Sequence, residues 1–115
     1  MDFKEYQEEA KQFAIYKDPV IYPALGLASE AGEVCGKIKK IMRDTEGIHT
    51  FLNKRDLDKH DRVEEIKAEL GDVLWYIANL ASDLDVSLQH IAEENLAKLQ
   101  RRKNRNTIQG SGDNR

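Results

Sequence analysis

Leu25-Gly-Leu-Ala-Ser-Glu-Ala-Gly-Glu-Val-Cys35 and Ala68-Glu-Leu-Gly-Asp-Val-Leu-Trp-Tyr76 are the two stretches that organise this chain. In each, apolar residues recur three and four positions apart, which is the period of one helix face. In each, a pair of acids sits within or beside that face: Glu30/Glu33 in the first, Glu69/Asp72 in the second. Residues i and i+3 on a helix are separated by about 4.5 Å of rise and point to neighbouring parts of one face. Each helix therefore aims two carboxylates the same way, and carboxylates beside an apolar stripe are costly unless something compensates them. Two such helices side by side gather four carboxylates, a set of hard oxygen donors suited to Mg²⁺ or Mn²⁺.

Working outward, the periodicity predicts four helices. The first spans about residues 2–17, with Asp2 as N-cap and Phe3, Tyr6, Ala10, Phe13 and Ala14 on one face. Pro19 and Pro23 break the chain after it. The second runs over about 23–44, with Leu27, Ala31, Val34, Cys35, Ile38, Ile41 and Met42 as its apolar positions. Gly26, Gly32 and Gly36 weaken that helix, so glycines at this spacing point to the close approach of another helix or a ligand. Residues 45–60 have no clear period and read as a long, mobile connection, the kind that often serves as a flap. The third helix covers about 61–84, with Asp61 and Glu64 forming a capping box. Ser87 caps a fourth, about 87–103, that turns Leu88, Ile91, Leu96 and Leu99 inward. The expected fold is an all-α, four-helix bundle over residues 1–103, followed by a non-helical tail, 104–115.

Composition limits the functions available. The chain has 115 residues, one cysteine and a net charge of −3, which fits one domain that folds without disulfides. Cys35 reads as a small core residue. No apolar run approaches the ~20 residues of a membrane span, and the first residues carry no signal-peptide pattern. A soluble, cytoplasmic protein is expected, and the charge balance argues against a nucleic-acid polymer as partner.

Acids make up 21 of the 115 residues, so an i+3 partner is acidic about one time in five by chance. Spacing alone leaves two readings of the four carboxylates: metal ligands, or acids that flank the stripe and simply reach solvent or pair with Lys37 or Arg62. A basic run near the end of the last helix (Lys98, Arg101, Arg102, Lys103 and Arg105) is also ambiguous. Cations there complement the helix dipole, and arginine forks with a lysine also suit the oxygens of a triphosphate. His49, His60 and His90 form no ligand set, and neither a P-loop nor a Ser/His/Asp arrangement is present.

Taken together, Gly26-Leu-Ala-Ser-Glu-Ala-Gly-Glu-Val34, Glu69-Leu-Gly-Asp-Val-Leu-Trp-Tyr76 and Asn95-Leu-Ala-Lys-Leu-Gln-Arg-Arg-Lys-Asn-Arg105 resemble the MazG-like, all-α nucleoside triphosphate pyrophosphohydrolases. That family carries Glu-Glu-x-x-Glu on one helix, Glu-x-x-Asp on the next and an Asn-x-x-Lys-Leu segment with trailing basic residues. Ser29 stands where the first Glu of that pattern would be, and Asn106 replaces an expected glycine. The resemblance implies Mg²⁺-dependent hydrolysis of a nucleoside triphosphate, most naturally a deoxynucleotide, to monophosphate and pyrophosphate, in house-cleaning or control of the dNTP pool. It implies Glu30, Glu33, Glu69 and Asp72 as metal ligands, with Glu33 and Glu69 taking part in catalysis. Asn95, Lys98, Arg102 and Arg105 would bind substrate phosphates, Trp75 would meet the base, and the tail would cover the site. Self-association as a dimer or tetramer is also implied. The rival readings are a non-enzymatic helical interaction module and a related hydrolase restricted to dUTP or phosphoribosyl-ATP.

Overall fold

The computed structural model describes residues 1–55 and 57–115; Asp56 lies outside the described residues. Among these, five helices and no strand are present: α1 (Phe3–Lys11), α2 (Ile21–Asp44), α3 (Ile48–Asn53), α4 (Leu57–Asp83) and α5 (Leu88–Asn104). The all-α expectation holds, but several boundaries move.

α1 starts where expected. The Asp2 carboxylate accepts the Glu5 N–H at 2.8 Å, and Glu5 reaches back to the Asp2 N–H to close a capping box. It ends at Lys11, not near residue 17, and Phe13 is exposed outside it. The docking contacts of α1 are already made by Tyr6, Gln7 and Ala10, so nothing rewards a longer helix. Gln7 bonds the Ser82 hydroxyl, the Val86 carbonyl and the Leu88 N–H, tying α1 to the corner between α4 and α5.

The chain enters α2 through Pro19–Val20–Ile21. The Ile21 N–H bonds the Pro19 carbonyl at 2.7 Å, and Val20 sits at φ 68°, ψ −55°. This is the γ-turn of positive φ, strained for a β-branched residue. Pro23 lies in the first turn of α2, where a missing N–H costs nothing, and is fully buried. Along α2, Val34 and Ile38 are half-buried and Ile41 is buried, whereas Ala31, Cys35 and Met42 face solvent. The expected core position of Cys35 is thus overturned: the helix is covered on one side only. Of the three glycines, only Gly26 meets a close neighbour; Gly32 and Gly36 face open space.

The stretch 45–60 is more regular than its sequence implied. Ile48–Asn53 forms α3, which buries Phe51, and α4 begins at Leu57, so Asp61 and Glu64 lie inside α4 and do not cap it. Local capping chemistry at Asp61 loses to continuation of a helix already packed along α2. Both of the later helix ends close as Schellman motifs. Val86 N–H bonds Ala81 O with Asp85 at φ 57°, and Thr107 N–H bonds Arg102 O with Asn106 at φ 55°. Asn106 takes the left-handed position that glycine usually fills, which only Asn or Asp tolerates readily.

α2 and α4 pack along their length, and α1 crosses α4 and the start of α5. The core is small: Ala10, Ala78 and Leu88, with Tyr6, Trp75 and Ile77 against them. The radius of gyration is 17.4 Å, against about 13 Å for a compact chain of this length. Leu70 on α4 and Leu96 on α5 are 53% and 67% exposed, and Val63, Ile91 and Leu99 are also uncovered. The inward stripe expected of α5 is therefore buried only at Leu88.

Candidate metal centre and aromatic groove

Antiparallel packing of α2 on α4 brings the two acidic pairs to the same level. Glu30, Glu69 and Asp72 each offer a carboxylate oxygen, and the three oxygens lie within 4.8 Å of one another. Glu33 is exposed and is not in that group, although its charge acts on Glu30. Partial burial, then a hydrogen-bonding approach to the Glu69 carboxylate, then the charges of Asp72, Glu69 and Glu33 raise the Glu30 carboxyl above its ordinary value.

The cations that could have relieved these acids are engaged elsewhere. Lys37 pairs with Glu65 at 3.6 Å, and Arg62 pairs with Asp44 at 3.3 Å and Asp58 at 3.4 Å. Among the described residues, no lysine or arginine pairs with Glu30, Glu69 or Asp72. The reading of the acids as partners of Lys37 or Arg62 therefore fails. Three close carboxylates repel, and a divalent cation taking oxygen donors is the group that turns the repulsion into binding.

An aromatic groove adjoins the acids. Tyr16 stacks on Tyr22 with ring centroids 5.1 Å apart, and Trp75 meets Tyr16 edge-on at 6.4 Å. Tyr76 lies 5.0 Å from Trp75 and 6.1 Å from Tyr22. These four rings, with Phe13, Ile15, Lys17 and Asp18, line an open groove of about 480 Å³. The neighbouring Tyr22 hydroxyl first, then burial, then the charges of Glu30 and Asp72 raise the Tyr76 hydroxyl above its ordinary pKa. Tyr76 lies one turn beyond Asp72 on α4, which sets the groove beside the acids. Asp83 on α4 fastens its rim: its Oδ2 accepts the Tyr16 hydroxyl at 2.9 Å and the Val20 N–H at 2.9 Å. Burial and the Asp83 carboxylate push Tyr16 up to about 12.

Of these aromatic residues, sequence reading singled out only Trp75. Tyr16, Tyr22, Tyr76 and Asp83 were missed because Tyr16 precedes Pro19 and Tyr22 lies between Pro19 and Pro23, where no periodicity connects them to α4.

The basic residues line α5 and meet the C-terminal tail. Asn95 and Lys98 border an open groove of about 500 Å³ along α5 with Ile91, Glu94, Ala97 and Arg101. Arg102 is buried under the C-terminal tail, where its Nη2 donates to the Gly112 and Asp113 carbonyls and to Asp113 Oδ1. Arg105 donates to the Arg115 carbonyl at 2.7 Å. Among the described residues, no hydrogen bond or ion pair links Asn95, Lys98, Arg102 or Arg105 to the three clustered acids. The tail folds against α5.

No helix is long and apolar enough to cross a membrane among the described residues. A family model described as the MazG nucleotide pyrophosphohydrolase domain matches residues 23–107. The chain is 47% identical over 118 residues to the "Gene 37 protein" of Mycobacterium phage L5, covering 96% of each. No solved structure matches it. With its acidic cluster inside the matched segment, the chain belongs to the MazG nucleotide pyrophosphohydrolase domain family.

Proposed function

We propose that this chain hydrolyses a nucleoside triphosphate between its α- and β-phosphates, releasing the monophosphate and pyrophosphate. The observation that carries the reading is the meeting of Glu30, Glu69 and Asp72 without a cationic partner, within a MazG domain. Their all-oxygen donor set fits Mg²⁺, with Mn²⁺ as the alternative. Glu33, one turn along α2, completes the set. When bound, the ion supplies charge neutralisation for the phosphates and makes water a better nucleophile near neutral pH.

The protein's own residues do the rest. Glu33 and Glu69 orient the attacking water and accept its proton, a task suited to carboxylates beside the metal. The aromatic groove receives the base: Trp75, met edge-on by Tyr16 and Tyr76, gives a half-buried ring face beside the acids, and ring stacking is tolerant of base identity. Lys98 and Arg102 grip the β- and γ-phosphates, with Asn95 as a neutral donor and Arg105 at the margin.

Those basic residues belong to the end of α5, and a second copy of the chain is proposed to bring them to the acids. The long radius of gyration and the uncovered leucines of α4 and α5 support self-association as a dimer or a pair of dimers.

The test is pyrophosphate release from eight common NTPs and dNTPs, with Mg²⁺ and with EDTA. Metal-dependent production of monophosphate and pyrophosphate is expected, and the same panel ranks base and sugar. No turnover of any of them, with no metal-dependent change in stability, would remove the reading.

A further inference from the structure

The last ten residues form a closed loop on α5. After the Asn106 turn, the Arg115 guanidinium donates to the carbonyls of Thr107, Ile108 and Gly112. Gly112, at φ 81°, turns the chain so that Asp113 faces α5. Asp113 Oδ1 then lies 3.3 Å from Arg102 Nη2 and 3.5 Å from Lys98 Nζ. One carboxylate thus bridges one guanidinium and one ammonium, the pair assigned above to the β- and γ-phosphates.

Two features mark this contact as an occupied anion site. Arg102 is only 5% exposed, yet its Nε–H has no hydrogen-bond partner among the described residues. A buried guanidinium presents its donors as a planar fork, and a tetrahedral phosphoryl group has enough acceptor oxygens to use donors that a lone carboxylate leaves unmet. Meanwhile the Asp113 side chain is 86% exposed. The bridge is thus exposed on its carboxylate side, where water and salt compete for it, so Asp113 can be exchanged.

We infer that Asp113 is an internal competitor for the phosphate grip: in the free protein it occupies Lys98 and Arg102, and a substrate phosphoryl group displaces it and releases the tail. The inference rests on the reading of Lys98 and Arg102 as phosphate ligands. It makes Asp113 a specificity residue, because only a ligand with enough phosphate charge outcompetes a carboxylate already in place. A monophosphate product does so less well than a triphosphate, which favours product release.

The test uses inorganic triphosphate in EDTA, so that the acidic cluster and its metal take no part. Binding to the full-length chain is measured by calorimetry for wild type, Asp113→Asn and Arg102→Ala, and amide exchange of residues 107–115 is followed with and without ligand. Asn keeps the backbone contacts of the tail but removes the charge. The expected result is binding about two- to fivefold tighter in Asp113→Asn, with tail amides exchanging faster when wild type is saturated. Equal affinity of wild type and Asp113→Asn, with binding lost in Arg102→Ala, would overturn the competitor and leave the phosphate reading standing. Slower tail exchange on binding would also overturn it, because the tail would then close over the ligand. Absence of binding to both wild type and Asp113→Asn would overturn the competitor and the phosphate reading together.

Discussion

A Cβ placed on Gly26 would lie 2.2 Å from Cε1 of Tyr76, closer than any packing tolerates. α2 therefore touches the ring of Tyr76 with bare backbone, one turn before Glu30. This single contact sets how near the two acidic helices approach and how the Tyr76 ring is turned into the aromatic groove. Gly26→Ala is expected to destabilise by about 1–3 kcal/mol, the usual cost of overpacking, and to lower activity by moving Tyr76 and the α2 acids together. Denaturant unfolding and turnover, measured on the same preparation, check it; an alanine variant as stable and active as wild type would mean the ring moves away freely.

Glu69→Gln and Asp72→Asn are expected to reduce pyrophosphate release to background while leaving helical circular dichroism intact. Each removes one charge from a cluster that no lysine or arginine balances, so the fold loses nothing it needs. The expected companion result is loss of the thermal stabilisation that Mg²⁺ or Mn²⁺ gives the wild type. Wild-type rates in either variant would exclude these residues as metal ligands.

Tyr16 gives a pH signature. Its folded pKa, pushed up to about 12 by burial and by Asp83, exceeds the ordinary tyrosine value of 10.0. A raised pKa means that the neutral phenol is preferred in the fold. The stabilisation is fully present below pH 10 and is lost as pH rises through about 12. Ultraviolet titration of phenolate formation is expected to show a latest-titrating tyrosine, lost in Tyr16→Phe and shifted toward ordinary values in Asp83→Asn. No change in either variant would rule out the hydrogen bond in solution.

Val20 is held at φ 68° with its N–H bonded to Asp83. Positive φ at a β-branched residue costs on the order of 1–3 kcal/mol. Val20→Gly is expected to relieve part of that strain, offset by a more flexible unfolded chain, and so to leave stability within about 1 kcal/mol of wild type. A loss of several kcal/mol would show that the Val20 side chain holds the turn.

Self-association is read by sedimentation. A dimer or tetramer is expected at micromolar concentration, and Leu70→Glu together with Leu96→Glu is expected to shift it to monomer by charging the uncovered faces of α4 and α5. A wild-type monomer at these concentrations would remove the proposed second copy, and with it the route by which Lys98 and Arg102 reach the acids.

Sequence by itself determined the helical class, the two acidic pairs and the cap at each start that carries one: Asp2 with Glu5, and Ser87 accepting the His90 N–H. These are properties of neighbours within one or two turns, where spacing translates directly into geometry. Tertiary packing decided what spacing cannot express. It selected Glu30, Glu69 and Asp72 from the four acids, because their meeting depends on the axial register of α2 against α4. It extended α4 past the Asp61 cap signal, because contact along α2 outweighs one local hydrogen bond. It turned Cys35 and Leu96 outward, because no element among the described residues covers them, and an apolar stripe announces only that some surface will be covered, not by what. And it brought Tyr16 and Tyr22 to Trp75 and Tyr76, and Asp113 to Arg102, contacts between residues far apart along the chain or across a turn that no periodicity connects.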